Sequence, residues 1–364
     1  MIDQVAAAFD RQDYRTAAQL LKAWRKQSPQ DPWVQFYIGR LHEVSGKLEA
    51  AETVFRQLLR DTVNPKLTAQ ARQGLQRLEA IQKARRQEAI AQATADPLNA
   101  EPGYLILEPI RPEDKSLAAQ NLARIMKIDP YTARLQLPSR GWRLYRTGAI
   151  GELQLYGQEL QTAGIPAFSA ALAAVQKINV FRVNYFQSVA PQATVVCQNE
   201  ADQLGSLTFD WSDVTQRVEG LLPIFEQVVD LDVHQKLQRK EQTQDYAQIC
   251  DLHLPSRRCI LRLCDSNYQF QQGVLLSASA HPQASAQGTT RRHWNSLIEF
   301  LNQQLPQVPV WSGFTTFAET VLDQTEMLSH IQPHIGLFRR TETDWDPAFQ
   351  LYSALVFLRN NPIG

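Results

Sequence analysis

No apolar run in the sequence approaches the roughly 18 residues that a membrane-spanning helix requires; the nearest stretch is the short AFSAALAAV at 167–175. The opening residues, MIDQVAAAFDRQDYRTAA, place acidic groups where a secretion signal has a basic start and an apolar core, so no such signal is read there. Cysteine is scarce, four in 364 residues, and in a long chain without that signal this predicts free thiols in a reducing, cytoplasmic compartment. Net charge is missing too: 37 Lys and Arg balance 37 Asp and Glu. Without a positive surplus the main electrostatic reason to expect nucleic acid as a partner disappears. Peripheral association with a membrane complex stays open.

The common signatures of catalysis are also absent. The sequence contains no GxxxxGK[ST] loop, no GxGxxG turn, no GxSxG elbow and no HExxH helix. No nucleophile, base and orienting group can be named together, so the expectation is a non-catalytic protein without a cofactor.

What is present is an ordinary globular balance of 44% hydrophobic and 20% charged residues, spread over a length that suits two or three domains. Charge is uneven locally. Residues 1–95 hold fifteen Lys and Arg against ten Asp and Glu, with Lys83, Arg85 and Arg86 clustered late in the segment.

From Ile2 to about Gln92 the pattern is helical, with apolar residues three and four apart and breaks at proline clusters. The spacing predicts helices ending near Gln12, then over Tyr14–Gln27, Trp33–Val44 and Leu48–Leu59, followed by a long polar helix that fades into ADPLNAEPG. Asp31 before Pro32 reads as an N-cap with proline at the first helical position. At Tyr104 the texture changes to YLILEPI, two helical segments, GWRLYRTGA, a helix closed by Gly164 and IPAFSA, which together read as a small βααβαβ module. From about Val175 short strands dominate, among them NVFRVNYFQSV, ATVVCQ, LGSLTFDW, DVTQRVEGLL, YAQICDLHL, RCILRLCD and YQFQQGVLL. The stretch HPQASAQGTT reads as a mobile loop, and three helices follow: HWNSLIEFLNQQL, TFAETVLDQTEMLSH and WDPAFQLYSALVFLR. The expected division is 1–95, 103–172 and 175–364.

A repeat underlies the first part. In a 34-residue unit with Gly39 at the eighth position, Ala51 falls at the twentieth, Phe55 at the twenty-fourth and Leu58 at the twenty-seventh. Shifted back by one unit, the corresponding places hold Ala17, Leu21 and Trp24, with Pro29 at the thirty-second. Small and large residues so arranged let two antiparallel helices approach closely and stack on the next pair. This resembles the tetratricopeptide-repeat family over residues 1 to about 80, with about two and a half repeats. The resemblance departs from the family pattern at Gln35 and His42, where aromatic residues are usual. It implies that the first helix of each repeat lines a concave surface for a peptide or protein partner. The implied groove residues are Phe9, Trp33, Phe36, Arg40, Glu43 and Leu75. Packing of Trp33 and Phe36 against the rest of the protein is the competing account.

Two clusters carry metal-ligand residue types. Cys250, His253, Cys259 and Cys264 suit zinc by type, but in strands Cys250 and His253 point to opposite faces, as do Cys259 and Cys264. Small buried cysteines in a hairpin explain them better, and no metal is expected there. Asp230, Asp232 and His234 alternate and would converge on a divalent ion if extended, although a polar edge strand accounts for them equally well. Trp142, Tyr145, Tyr185, Phe186, Trp211 and Trp345 are scattered in the manner of core residues.

The expected architecture is therefore multidomain α+β: antiparallel helical repeats, the small βααβαβ module, and a β-rich domain, barrel-like or similar to pleckstrin-homology sheets, with C-terminal helices. The expected function is that of a protein-protein interaction adaptor or assembly factor. The alternative is a peripheral membrane, lipid or small-ligand-binding protein acting through the β-rich domain.

Overall fold

In a computed structural model, residues 1–231, 237–274, 289–337 and 343–361 are described, with side chains described outside 227–241. The chain divides into two compact units, Met1–Gln92 and Ala93–Gly364.

The first unit is helical. Helices α1 (Ile2–Asp10), α2 (Tyr14–Gln27), α3 (Pro32–Val44) and α4 (Leu48–Asp61) are followed by the long α5, Pro65–Ala93. Asp31 caps α3 as its sequence suggests, its carboxylate accepting from Trp33 N–H at 2.9 Å. Such a cap contributes about 1 kcal/mol. Gly46 ends the α3–α4 turn at φ +75°, a conformation that a Cβ disfavours. Val5, Phe9, Leu21, Trp24, Val34, Phe36, Phe55, Leu67 and Leu78 share one core. Phe55, fully buried, lies between two helices at bare positions. A Cβ at Gly39 of α3 would stand 2.6 Å from its Cε1, and one at Gly74 of α5 would stand 2.7 Å from its Cε2.

The second unit opens with strand β1 (Pro102–Leu107), helices α6 (Lys115–Met126) and α7 (Pro130–Gln136), strand β2 (Arg143–Ala149), helix α8 (Ile150–Thr162) and strand β3 (Ala167–Ala171). This is the βααβαβ order read from the sequence. Its strands form an antiparallel sheet in the order β2-β1-β3. A short helix α9 (Leu172–Gln176) leads to β4 (Asn179–Ser188), β5 (Ala193–Gln198), β6 (Leu204–Phe209), β7 (Gln216–Leu231), β8 (Leu237–Leu254) and β9 (Cys259–Cys264). With β10 (Val310–Trp311) these make a seven-stranded sheet in the order β10-β7-β8-β9-β4-β5-β6. The β-rich expectation holds, and among the described residues the sheet is open, with β10 and β6 at its edges. Two pairings, β4 with β9 and β10 with β7, are parallel.

Both faces of this sheet are covered. On one side α10 (Thr290–Gln304) packs Trp294, Leu297 and Leu301 onto Val195, Cys250, Leu252 and Leu261. On the other, Ile249 and Ile260 meet Phe314 and Phe317 of α11 (Phe314–Ala318) and the last helix, which follows the single turn α12 (Thr325–Leu328). That last helix, α13 (Trp345–Asn360), is buried on every side from Ala348 to Phe357. Tyr104, Trp142 and Ala170 of the smaller module join the same core, so α13 has apolar neighbours all round. Burial on both faces explains why β9, CILRLC, has no exposed residue.

Two sequence expectations change. TFAETVLDQTEMLSH forms two short helices, α11 and α12, instead of one. Thr320 Oγ donates to Phe317 O at 2.7 Å and accepts from Leu144 N–H at 3.2 Å, a side-chain competition that breaks helical continuity. YQFQQGVLL contains no strand over 268–274. Its aromatic Tyr268 is buried and accepts from Phe186 N–H, while Gly273 turns the chain at φ +68°. Residues 275–276 of that stretch, and 281–288 of the expected loop, lie outside the described residues. Among the described residues, no helix is long and apolar enough to cross a membrane.

Candidate partner-binding surface

The side chains implied as a groove begin on α3, whose start is fixed by Asp31 and Pro32. Residues three and four apart on a helix share a face, so Trp33, Phe36, Arg40 and Glu43 rise along one side. Their environments differ. Phe36, 3% exposed, has its ring centroid 5.3 Å from Tyr37 and 6.0 Å from Phe55. Phe9, 7% exposed, lies 5.4 Å from Tyr37. Both form the wall of the unit's own core. Leu75 and Trp33 are half-buried against that core, and Lys66 Nζ stands 6.0 Å from the Trp33 ring.

Glu43 is engaged by a residue that sequence reading did not single out. Arg77 of α5 donates from Nε to Oε1 at 2.7 Å and from Nη2 to Oε2 at 2.9 Å. Paired donors of this kind are the stronger form of the ion pair, and hydrogen bonding to Glu43 raises the Arg77 pKa further above its usual value. Arg77 follows Glu43 by 34 residues, one repeat length, and that spacing is the signal that could have found it. Arg40 shares the same carboxylate less closely, with Nε 3.5 Å from Glu43 Oε2. Its Nε makes no hydrogen bond, its guanidinium lies 5.5 Å from the Phe9 ring centroid, and its side chain is 33% exposed. Two guanidiniums therefore meet one carboxylate beside half-buried aromatic surface, where the charges of Asp10 and Asp3 are also felt at Tyr37.

In the second unit the residues considered for zinc separate. Cys250 and Cys259 lie in the core under α10, and Cys264 lies in the core on the other face. His253 turns to that other face as well, 5.3 Å from the Phe357 ring. The four do not converge. Among the described residues, no group of three or more His, Cys, Asp and Glu is placed to hold a metal ion. Asp232 and His234 lie outside the described residues, and the Asp230 side chain is not described.

His253 belongs instead to a buried polar network. Arg262 of β9 donates to both oxygens of Asp251 on β8 at 2.9 and 2.7 Å. Ser353 of α13 donates to Asp251 Oδ2 at 2.6 Å, and His253 Nε2 lies 3.0 Å from Ser353 Oγ. Desolvation lowers the His253 pKa to about 4, so the imidazole is neutral at pH 7. Ser, His and Asp meet here, but not as a nucleophile and its base. The serine proton points to the carboxylate, so Nε2–H must donate to Oγ, and a histidine already protonated at that nitrogen cannot accept the serine proton there. All three residues are 0% exposed. The network joins β8, β9 and α13.

Comparison with known proteins bears on the helical unit alone. Residues 8–72 match the tetratricopeptide-repeat family; no curated protein and no solved structure matches the chain. The matched segment runs from the end of α1 into α5 and includes Phe9, Trp33, Phe36, Arg40 and Glu43. The N-terminal region carries tetratricopeptide repeats, whose established role is to bind other proteins.

Proposed function

We propose that the helical unit holds a segment of another protein without chemistry of its own, and that the chain works as an adaptor or assembly factor. The observation that carries this reading is Arg40. Its Nε makes no hydrogen bond, its side chain is partly open to solvent, and the nearest carboxylate is already held by Arg77. A partner carboxylate would meet the charge of this side chain where it is open to solvent, Nε itself being buried, while Trp33 and Leu75 offer adjoining apolar surface. Arginine and tryptophan are the residue types that most often dominate binding energy. The excess of Lys and Arg in residues 1–95 favours the same kind of partner, an acidic segment. Phe9 and Phe36 shape this surface from below, as core residues, and Glu43 sets the position of both arginines.

The test is affinity capture from the native source with the whole chain, in three forms: wild type, Arg40→Ala and Arg40→Glu. A partner retained by the wild type, weakened by alanine and lost with glutamate, at unchanged melting temperature, is the expected result. Equal recovery by wild type and Arg40→Glu would remove Arg40 from the binding surface and this reading with it.

A further inference from the structure

Edge strand β6 has the form of an unprotected docking strand. Among the described residues it pairs with β5 alone, so one row of backbone N–H and C=O groups faces outward along Leu204–Phe209. Exposed edges are usually blunted by lysine, proline, a bulge or an inward charge. The β6 sequence LGSLTF has no lysine, proline or other charge. Its register with β5 runs unshifted from Ala193 opposite Phe209 to Gln198 opposite Leu204, and Leu204 is 65% exposed. The acidic residues that flank it are engaged within the chain: Asp202 pairs with Arg182, and Asp210 accepts from Gln192 Nε2 at 3.1 Å.

Gly205 supplies an independent observation. Every other described glycine has either a positive φ or a neighbour that a Cβ would touch, whereas at Gly205 the φ is ordinary and a Cβ would meet nothing within 4 Å. Glycine weakens a strand, and inside one it commonly marks the close approach of a ligand or another backbone. Gly205 shares its face with Leu207 and Phe209, which pack into the core under α10. The open space therefore lies at the edge of that core.

We propose that β6 pairs antiparallel with β6 of a second copy of this chain about a two-fold axis, extending the sheet through both copies. Three features favour a second copy over an unrelated strand. The strand is uncharged, so self-pairing sets no like charges opposite each other along the ladder. The formal net charge of the chain is zero, so two copies do not repel at longer range. A two-fold that preserves the sheet's faces, with Ser206 on the axis, sets Gly205 opposite Leu207 of the second copy. Leu204 then faces its Thr208. A leucine thus comes to each empty Gly205 position, and because the contact is self-complementary it closes at two chains. Just beyond each ladder end Asp202 of one copy comes opposite Asp210 of the other; Arg182 neutralises the first within its own copy, and the second accepts from Gln192. A ladder of this length is short beside the roughly 1,200–2,000 Å² of a stable interface, so association should depend on concentration.

Sedimentation of the full chain over a concentration series should show a monomer-dimer equilibrium. Ser206→Lys, at a position exposed in the monomer, should give a monomer throughout with an unchanged melting temperature. Because Ser206 faces itself across the axis, Ser206→Cys under mild oxidation should yield a covalent dimer, whereas Leu204→Cys should not. The native cysteines are all buried and should not contribute. A wild-type chain that stays monomeric, as it would if β6 awaits a strand from another protein, overturns the proposal. So do open-ended aggregates, a dimer unaffected by Ser206→Lys, or failure of Ser206→Cys to cross-link.

Discussion

The ring of Phe55 on α4 packs against the bare Cα of Gly39 on α3, where a Cβ would stand 2.6 Å from Cε1. Gly74 of α5 meets the other edge of the same ring. One phenyl group thus determines how closely three helices approach. Overpacking of this kind costs about 1–3 kcal/mol, because a ring held on both sides cannot swing away. Gly39→Ala should lower stability by that order, and Gly74→Ala similarly. In a Phe55→Leu background the cost of Gly39→Ala should shrink, since the clashing atom is gone. Urea unfolding of the four proteins in this double-mutant cycle gives the coupling directly; additive losses would show that the close approach does not set the packing.

Asp251 and Arg262 lie buried on neighbouring strands, 0% and 2% exposed, joined by two hydrogen bonds. Removing one member strands the other charge in a dry interior, at a cost of about 3–5 kcal/mol. Asp251→Ala should therefore destabilise far more than the same change at exposed Asp202, whose pairing with Arg182 is at the surface. Replacing both members, as in Asp251→Leu with Arg262→Met, should recover part of the loss. Recovery is incomplete in this expectation because Ser353 and Pro333 O lose partners too. Chemical denaturation distinguishes the cases.

The network also predicts a pH dependence. His253 has a folded pKa of about 4, mainly through desolvation, against 6.5 for the free side chain. Burial, Arg262 and Arg182 bring His334 to about 4 as well. With the folded pKa depressed, the unfolded chain binds more protons between the two values. Stability is then complete above about pH 6.5 and falls as pH drops toward 4, by roughly 1.4 kcal/mol per pH unit for a fully buried group. His334 is partly solvated, so its share is smaller. His253→Gln keeps a donor for Ser353 but cannot titrate, and should flatten the slope of melting temperature between pH 6.5 and 5. An unchanged slope would place the acid sensitivity elsewhere.

Sequence pattern made the repeat legible because its constraints are local and periodic. Tyr14–Gln27 has the bounds its spacing suggests, and Asp31 caps the helix it precedes. Strand alternation alone separates His253 from Cys250, since neighbouring strand residues face opposite ways. The buried network was not legible. Its members come from β8, β9 and α13, and Ser353 lies 100 residues from His253, with no spacing rule to connect them. The same limit applied to the groove: periodicity put Phe36 and Arg40 on one side of α3, but it could not show that Phe55 buries one while the other keeps solvent contact.

The thiols give the last prediction. Cys250 is fully enclosed and its pKa is raised well above the usual thiol value, by burial first and then by the charge of Glu219. Burial raises Cys259 to about 11 and moves Cys197 and Cys264 in the same direction. Since the thiolate is the reactive form, both access and ionisation oppose modification. An aromatic disulfide reagent at pH 8 should therefore label none of the four in the native chain and all four in denaturant. Labelling that follows the unfolding rate would measure how often the two faces of the sheet open. A cysteine that reacts at once in the native state would show that its core is not closed in solution, with Cys197 the first to examine, because β5 lies next to β6, the last strand of the sheet among the described residues.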